Sequence, residues 1–488
     1  MQYKITVLPQ NRTIMAEQGD LLYSVLSRNG FKVNAPCGGR GICGKCEVQE
    51  VVNPAFSTRT IYTCKTYVDR DMTIILHESE GSGLDTFDGF NQEGEKDGLG
   101  VALDIGTTTV VGCLVDLKSG KILDKTSALN PQSTFGADVI TRISACKENL
   151  SALQKVIIDK TNEIIKILAK GNKIDELVVS ANTVMLHIFL GVNPEPIGVA
   201  PFTPVFTEIV NTYGSKLNIL ADNVTLLPSV SGYIGSDITV GLLACEMPQN
   251  QTSLFVDIGT NGEIVLCING KLYATSSAAG PALEGACIEC GMGGVVGAID
   301  SVCIKGNELS FTTIGAEKAK GICGSGLVDI IAVLVKDGII DDSGAFDEEC
   351  ESLLSNRLVS DRFYISDSVY ISQKDIRQFQ LAKSAICSAI KTIISENNLT
   401  LAQIDAVYVA GGLGYYTNMQ NAGEVGLVPK PLVSKTKTVG NTALLGAIKC
   451  LLKQENLRQV KDIAKSTQTL ELASSSVFAN EFIENMAF

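Results

Sequence analysis

Histidine is nearly absent from this 488-residue chain, with only His77 and His187, so a metal centre built on several imidazoles is excluded. Blocks of lysine and arginine are missing as well. The 40 basic residues are outnumbered by 53 acidic ones, for a net charge of −13, and a chain of that balance is expected to bind neither nucleic acid nor anionic membrane. No apolar run has the length of a membrane span, because the longest, from Leu177 to Val192, is broken by Ser180, Asn182, Thr183 and His187. The opening Met-Gln-Tyr-Lys-Ile-Thr-Val7 has no signal-peptide core, so a cytoplasmic chain is expected. The Walker pattern Gly-x4-Gly-Lys-Ser/Thr does not occur either, which excludes a P-loop.

Cysteine is plentiful by contrast, with fifteen, and four of them stand apart. Cys37, Cys43 and Cys46 lie in the run Pro36-Cys-Gly-Gly-Arg-Gly-Ile-Cys-Gly-Lys-Cys46, and Cys64 follows. Four thiolates at this spacing are suited to a [2Fe-2S] cluster. Gly38, Gly39, Gly41 and Gly44 carry no Cβ, so their amides can turn toward the cluster sulfides. A structural zinc site is the competing reading, and the density of glycine argues against it. Five residues separate Cys37 from Cys43 where the plant-type pattern has four, which leaves the fourth ligand to be argued; Cys64 is the only other cysteine in the first hundred residues. The remaining cysteines are mostly single and set among apolar neighbours, as expected of small core residues. Cys287-Ile-Glu-Cys290 has metal or redox spacing, but no second Cys/His pair accompanies it.

Alternating strands, an amphipathic helix over Leu21 to Arg28 and further strands near 46–52, 60–64 and 72–76 describe a β-grasp ferredoxin over residues 1–80. Residues 81–98, rich in Gly, Ser, Asp, Glu and Asn, are expected to be a flexible linker reaching up to ~70 Å extended and averaging nearer ~25 Å as a coil. The rest contains a repeat. An apolar strand, an Asp-Ile-Gly-Thr turn and a second strand span Gly100 to Val115, and the same device returns from Leu254 to Cys267. This predicts duplicated α/β lobes, the first over 99–252 and the second over 253–465, with a C-terminal extension at 466–488 and a nucleotide clasped between the lobes.

The chemistry follows from that turn. Gly106 and Gly259 let backbone approach phosphate oxygens, and Thr107, Thr108, Thr260, Asn261 and Gly262 add donors. Asp104 and Asp257 face each other from opposite lobes, as two carboxylates do when they position hydrated Mg²⁺ on a triphosphate. A third segment, Asp405 to Gly414, is a buried strand ending at Gly411 and Gly412, where backbone can lie flat against adenosine. Gly321-Ile-Cys-Gly-Ser-Gly326 is open between nucleotide contact and tight packing.

These motifs resemble the actin, sugar-kinase and heat-shock-chaperone superfamily, in which Gly235 to Leu243 and Val439 to Ala447 would be the two connecting helices. Further segments make the likeness more specific: Asn130-Pro-Gln, Gly136-Ala-Asp138-Val-Ile-Thr-Arg142, Gly280-Pro-Ala-Leu-Glu-Gly285, Gln373-Lys-Asp-Ile-Arg377 and Leu470-Glu-Leu472. With the ferredoxin-like start, the chain looks like the reductive activators of corrinoid proteins. Two departures stand out. The resemblance carries an extra domain ahead of the ATPase, whereas Asp104 follows the linker almost at once, and Gly291-Met-Gly-Gly294 replaces an expected Gly-Met-Arg.

The resemblance implies ATP-dependent reduction of Co(II) to Co(I) in a corrinoid protein by one electron from the cluster, itself supplied by a low-potential donor. A plant-type cluster lies near roughly −400 mV. With ~59 mV per ~1.4 kcal/mol for one electron, roughly 10 kcal/mol from ATP offsets up to about 400 mV at full coupling. ATP would act on partner affinity rather than on the electron. Asp237 is the candidate for orienting water, with a helix N-cap as an equal reading, and Glu263 is a weaker polar candidate. A homodimer is implied by the resemblance alone. Two rival functions are a redox-sensing, nucleotide-dependent regulatory module and a small-molecule kinase with an accessory ferredoxin.

Overall fold

The computed structural model describes residues 2–8, 12–29, 31, 33, 47–53, 57–75, 90, 92–136, 138–248, 250–347 and 349–488. Cys37, Cys43 and Cys46, the glycines among them, His77 and most of the expected linker lie outside the described residues.

The N-terminal unit contains β1 (Gln2–Leu8), β2 (Arg12–Glu17), α1 (Leu22–Arg28), β3 (Glu47–Asn53), β4 (Ser57–Tyr62) and β5 (Met72–Ile75). They form a mixed five-stranded sheet in the order β2-β1-β5-β3-β4, with β1 and β5 parallel at its centre. Alternation on β1 buries Ile5 and Val7 completely against Leu22, Val25 and Leu26 of α1. Glu50 is buried, and it accepts hydrogen bonds from Arg59 at 2.7 Å and Arg70 at 2.9 Å, so its charge is paired on entering the fold.

The first lobe runs β6 (Leu99–Ile105), β7 (Thr109–Asp116), β8 (Ile122–Leu129), α2 (Val139–Ala169), β9 (Glu176–Ala181), α3 (Thr183–Leu190), β10 (Val210–Tyr213), α4 (Gly214–Leu217), β11 (Asn223–Leu226) and α5 (Ser236–Cys245). Its sheet order is β10-β11-β9-β6-β7-β8. A reciprocal capping box between Asp138 and Thr141 starts α2. From there Val139, Ile143, Cys146, Leu153, Ile157, Ile164 and Leu168 recur at helical spacing and form the buried face.

The second lobe contains β12 (Thr252–Ile258), β13 (Gly262–Ile268), β14 (Lys271–Ser277), β15 (Ala298–Lys305), β16 (Glu308–Thr313), β17 (Gly321–Ile322), α6 (Gly324–Lys336), β18 (Leu358–Val359), β19 (Arg362–Tyr364), β20 (Tyr370–Ser372) and α7 (Gln373–Glu396). It continues through β21 (Ala406–Ala410), α8 (Gly411–Tyr416), α9 (Met419–Glu424), α10 (Lys430–Val433), β22 (Thr436–Gly440), α11 (Thr442–Leu452), α12 (Gln454–Ser466), β23 (Gln468–Thr469) and α13 (Ser476–Glu484). Its main sheet, β22-β21-β12-β13-β14-β23, repeats the plan of the first. In each lobe an antiparallel triplet carries the Asp-Ile-Gly-Thr turn, and a parallel strand, β9 or β21, flanks its first member. Among the described residues no helix is long and apolar enough to cross a membrane.

Helices α5 and α11 cross between the two sheets. The crossing is close because a Cβ on Gly446 would meet the Val240 carbonyl oxygen at 2.1 Å, and one on Gly241 would meet Phe255 and Thr442 at 2.9 and 3.0 Å. Alanine at position 446 therefore cannot be accepted without separating the helices.

Two boundaries differ from expectation. The end of the expected linker is docked: Gly94 N–H donates to the Lys118 carbonyl at 3.0 Å, Glu95 N–H donates to the Leu452 carbonyl at 3.1 Å, and Lys96 pairs with Glu176. Phe90 packs with the Leu451 and Leu452 cluster. Composition alone concealed these backbone contacts. The expected C-terminal extension is likewise part of the second lobe, since β23 pairs with β14 and α13 covers α7. Ser384, Gln380 and Lys383 donate to the carbonyls of Phe482, Met486 and Ala487. A two-residue strand leaves no periodic signal, which is why the sequence suggests an appendage.

Candidate functional site

The first turn is organised from behind. Asn130 Nδ2 donates to the Gly106 carbonyl at 2.8 Å, Arg142 Nη2 to the Thr107 carbonyl at 2.6 Å, and the Asn130 amide to the Thr108 carbonyl at 2.8 Å. In a trans peptide the N–H points opposite to the C=O, so drawing these carbonyls back turns the following amides toward the cleft, as an anion site requires. The Gly106 amide is itself used within the turn, donating to the Thr109 carbonyl at 2.9 Å, and Gly259 does the same with the Asn261 carbonyl at 3.0 Å. The amides turned toward the cleft are therefore those beyond the glycines. Asn130 and Arg142 belong to motifs quoted above, but their supporting role depends on contacts the sequence does not display.

Arg142 is fully buried and, among the described residues, meets no carboxylate at hydrogen-bond distance; its remaining nitrogen lies 3.4 Å from Met185 Sδ. Burial lowers its pKa to about 10 against the opposing pull of Asp138 and Glu284. It thus stays cationic at neutral pH behind the first turn. The hydroxyl of Thr107 is met by Asn182 Nδ2 at 3.5 Å.

Four carboxyl groups share the space between the turns. Asp104 and Asp257 are the penultimate residues of β6 and β12; Asp237 lies in the first turn of α5; Glu263 pairs with Asp257 across β12 and β13. Burial, then the charge of Asp237, raises Asp104 and Asp257 to about 7. Asp237 is raised to about 6 by burial, and Glu263 is raised well above its ordinary value by burial and by Asp237 and Asp257. The N-cap of α5 is Gly235, without a side-chain capping bond, and the Asp237 carboxylate accepts from the Ile238 amide at 3.0 Å. Asp237 is thus not the N-cap residue of α5, although it accepts from an amide of the first turn.

The second lobe contributes further groups. Asn441, which caps α11, donates through Nδ2 to Asp104 Oδ2 at 3.2 Å. Glu284 closes the short 3₁₀ turn Pro281–Glu284 and accepts from Thr108 at 2.5 Å and Thr260 at 2.7 Å. Gly411 has φ +82°, and a Cβ there would lie 2.6 Å from Asp257 Oδ1, while Gly412 has open space around it. The expected adenosine loop is therefore adjacent to the second turn. Sequence reasoning singled out neither Asn441 nor Glu284 as a site residue, although both lie in segments quoted for the resemblance.

Other candidates go elsewhere. A Cβ on Gly324 would meet the Leu283 carbonyl oxygen at 1.9 Å, and one on Gly326 the Ile299 carbonyl oxygen at 2.2 Å, so Gly321 to Gly326 is glycine-rich for packing. His187 is buried: Nδ1 lies 2.7 Å from the Thr183 carbonyl and Nε2 accepts from the Val205 amide at 3.1 Å, a structural role. Burial holds its pKa down. Cys287 is exposed and Cys290 half-buried, and among the described residues no three Cys, His, Asp or Glu side chains are grouped as a metal cage. Cys64 sits on a turn fastened to the start of α1, where Tyr23 N–H donates to the Thr63 carbonyl at 3.0 Å and Leu22 N–H to the Thr66 carbonyl at 2.9 Å.

The four acids are not grouped closely enough to ligate a metal directly; a divalent cation there would be held through its water shell, as Mg²⁺ commonly is. Ser180, paired in register with Asp104, has a buried hydroxyl without a partner among the described residues, a group that a ligand water would satisfy. A pH dependence follows. Carboxyl groups raised to about 7 and about 6 bind protons in the folded protein that the unfolded chain releases near pH 4, so stability declines as pH rises through 4 to 7. The nucleotide-free protein is expected to melt at a lower temperature at pH 8 than at pH 6, by about 2–4 °C per kcal/mol lost. Mg²⁺ with nucleotide should reduce that difference. Calorimetry at the two pH values checks it, and an unchanged melting temperature would mean that burial and mutual repulsion do not hold these acids protonated.

Comparison with known proteins agrees with this architecture. Residues 251–488 match the family model described as the C-terminal domain of RACo, the ASKHA domain, and residues 99–250 match the RACo middle region. The middle region thus falls on the first lobe itself and not on a separate domain ahead of it. The corrinoid activation enzyme RamQ of Eubacterium limosum is 34% identical over 429 residues, covering 82% of this chain and 72% of that protein. A reductase of Methanosarcina barkeri, named for a Co(II) methylated amine-specific corrinoid protein, is 26% identical over 80% of this chain and 77% of its own length. A solved structure of a reductive activator for corrinoid, iron-sulfur protein is 29% identical with a TM-score of 0.74, covering 100% of this chain and 98% of the other.

Proposed function

The chain belongs to the RACo family of corrinoid-protein reductive activators, and from that premise we propose that it uses ATP to return a corrinoid protein from Co(II) to Co(I), delivering one electron. The observation that carries this reading is the pairing, in one chain, of a carboxylate-lined cleft between duplicated turns with a cysteine-bearing N-terminal unit. The sheet order β2-β1-β5-β3-β4 with its parallel central pair is a β-grasp order, which supports a ferredoxin. A [2Fe-2S] cluster on Cys37, Cys43, Cys46 and Cys64 would supply electrons singly after reduction by a low-potential donor.

In the cleft, Thr107, Thr108, Thr260 and Asn261 would hold the phosphates with the amides turned forward behind Gly106 and Gly259. Asp104 and Asp257 would hold the water shell of Mg²⁺, Asp237 would orient the attacking water, and Gly411 and Gly412 would border adenosine. The nucleotide's state reaches the rest of the molecule through α5 and α11, which carry Asp237 and Asn441 and touch each other at Gly241 and Gly446. Binding energy at the phosphates can thereby change the affinity for a partner.

The test combines the protein, a low-potential reductant and candidate Co(II) corrinoid proteins from the same organism, with and without ATP, and follows Co(I) absorption. Co(I) is expected to accumulate in the presence of ATP with the cognate partner. ATP consumption without Co(I), across all such partners, would favour a sensor; consumption requiring an added metabolite would favour a kinase.

A further inference from the structure

Glu284 is an anion placed where the cleft is otherwise prepared for anions. Its two carboxylate oxygens are divided between the lobes: Oε2 accepts from Thr108 of the first turn at 2.5 Å and Oε1 from Thr260 of the second at 2.7 Å. A Cβ built on Gly259 would lie 3.8 Å from Oε1, so the carboxylate rests against the bare backbone of the second turn. The buried Arg142 guanidinium responds to its charge. No other carboxylate among the described residues is shown accepting hydrogen bonds from both turns.

We propose that Glu284 is the residue by which this cleft discriminates nucleoside triphosphate from diphosphate, its carboxylate holding the position of the terminal phosphate while that position is free. The inference rests on the ATP reading of the site and deepens it. The hydroxyls of Thr108 and Thr260 each have one proton to donate, so they serve either the carboxylate or a phosphate. A diphosphate leaves Glu284 in place, with the two turns joined through it. A triphosphate brings a second anion to the same hydroxyls, and like charges at that distance repel. A rotamer change of Glu284 is sufficient to vacate the position, and its cost falls only on the triphosphate.

The distinction is measurable by calorimetric titration with ADP and with a non-hydrolysable ATP analogue, in the presence of Mg²⁺. Glu284→Ala is expected to tighten the triphosphate analogue about tenfold, as removal of a like charge at a binding site should, while the Kd for ADP changes less than about twofold. Glu284→Gln, which keeps the shape and removes the charge, is expected to move in the same direction and supplies the result if the alanine variant folds poorly. An equal loss for both nucleotides would identify Glu284 as a structural clamp and overturn the proposal. An equal gain for both, or no change, would overturn it as well. If the unaltered protein binds neither nucleotide, the ATP reading itself fails, an outcome distinct from the other three.

Discussion

Replacing Asp104 by alanine is expected to lower ATP hydrolysis by at least about 10²–10³-fold, the usual cost of losing one pre-oriented charge-stabilising group, while the visible absorption of the N-terminal unit is unchanged. The separation arises because Asp104 is the penultimate residue of a strand of the first lobe and touches Asn441 from α11, with no described contact to the N-terminal sheet. The substitution also removes one of four crowded acids whose pKa values are raised by burial and mutual repulsion. The variant is therefore expected to be no less stable than the parent above pH 7, despite its inactivity. Steady-state phosphate release beside a thermal melt measures both effects. Full ATPase activity in Asp104→Ala would remove the phosphate-site assignment.

The second large effect is expected at Cys64. Cys64→Ser should weaken or alter the spectrum of the proposed cluster and with it the proposed electron delivery, whereas Cys287→Ser and Cys290→Ser should leave the spectrum as it is. Cys64 is held on a turn stitched to α1 through Thr63 and Thr66, so its sulfur is presented by fixed backbone, a condition for a ligand that must meet three others. Cys287 is exposed and belongs to the loop after Glu284 in the second lobe. Absorption and electron paramagnetic resonance of the reduced protein discriminate the three variants. An unaltered spectrum for Cys64→Ser would require a different fourth ligand.

Legibility followed sequence separation. The two Asp-Ile-Gly-Thr hairpins were readable because strand, turn and return strand are contiguous, and both form with the aspartate next to the strand end. The terminal strand β23 and the docking of Gly94 were not readable, since each is defined by its partner and not by its own composition. The same holds for the groups that complete the site. Thr108 and Glu284 are 176 positions apart, and Asp104 and Asn441 are 337 apart; no local pattern encodes such pairings. Conversely, the sequence leaves Gly321 to Gly326 open between nucleotide contact and packing, because glycine is equally necessary where a backbone approaches a phosphate and where it approaches another backbone. Only the facing atoms, the carbonyls of Leu283 and Ile299, distinguish the two.

The docked segment around Gly94 and Glu95 also sets a leash length. Between Ile75, the last residue of β5, and Gln92 the chain can span no more than roughly 60 Å, so the N-terminal unit lies within that distance of the end of α11, where Glu95 meets Leu452. If that unit carries the proposed cluster, a bound of this kind would limit electron delivery to acceptors within the same distance, where the effective concentration of a linked donor reaches the millimolar range. Because the fastening point is the far end of a helix whose other end holds Asn441 against Asp104, a tilt of α11 on nucleotide exchange would move that fastening point. Geometry alone could thus make electron delivery a function of what occupies the cleft.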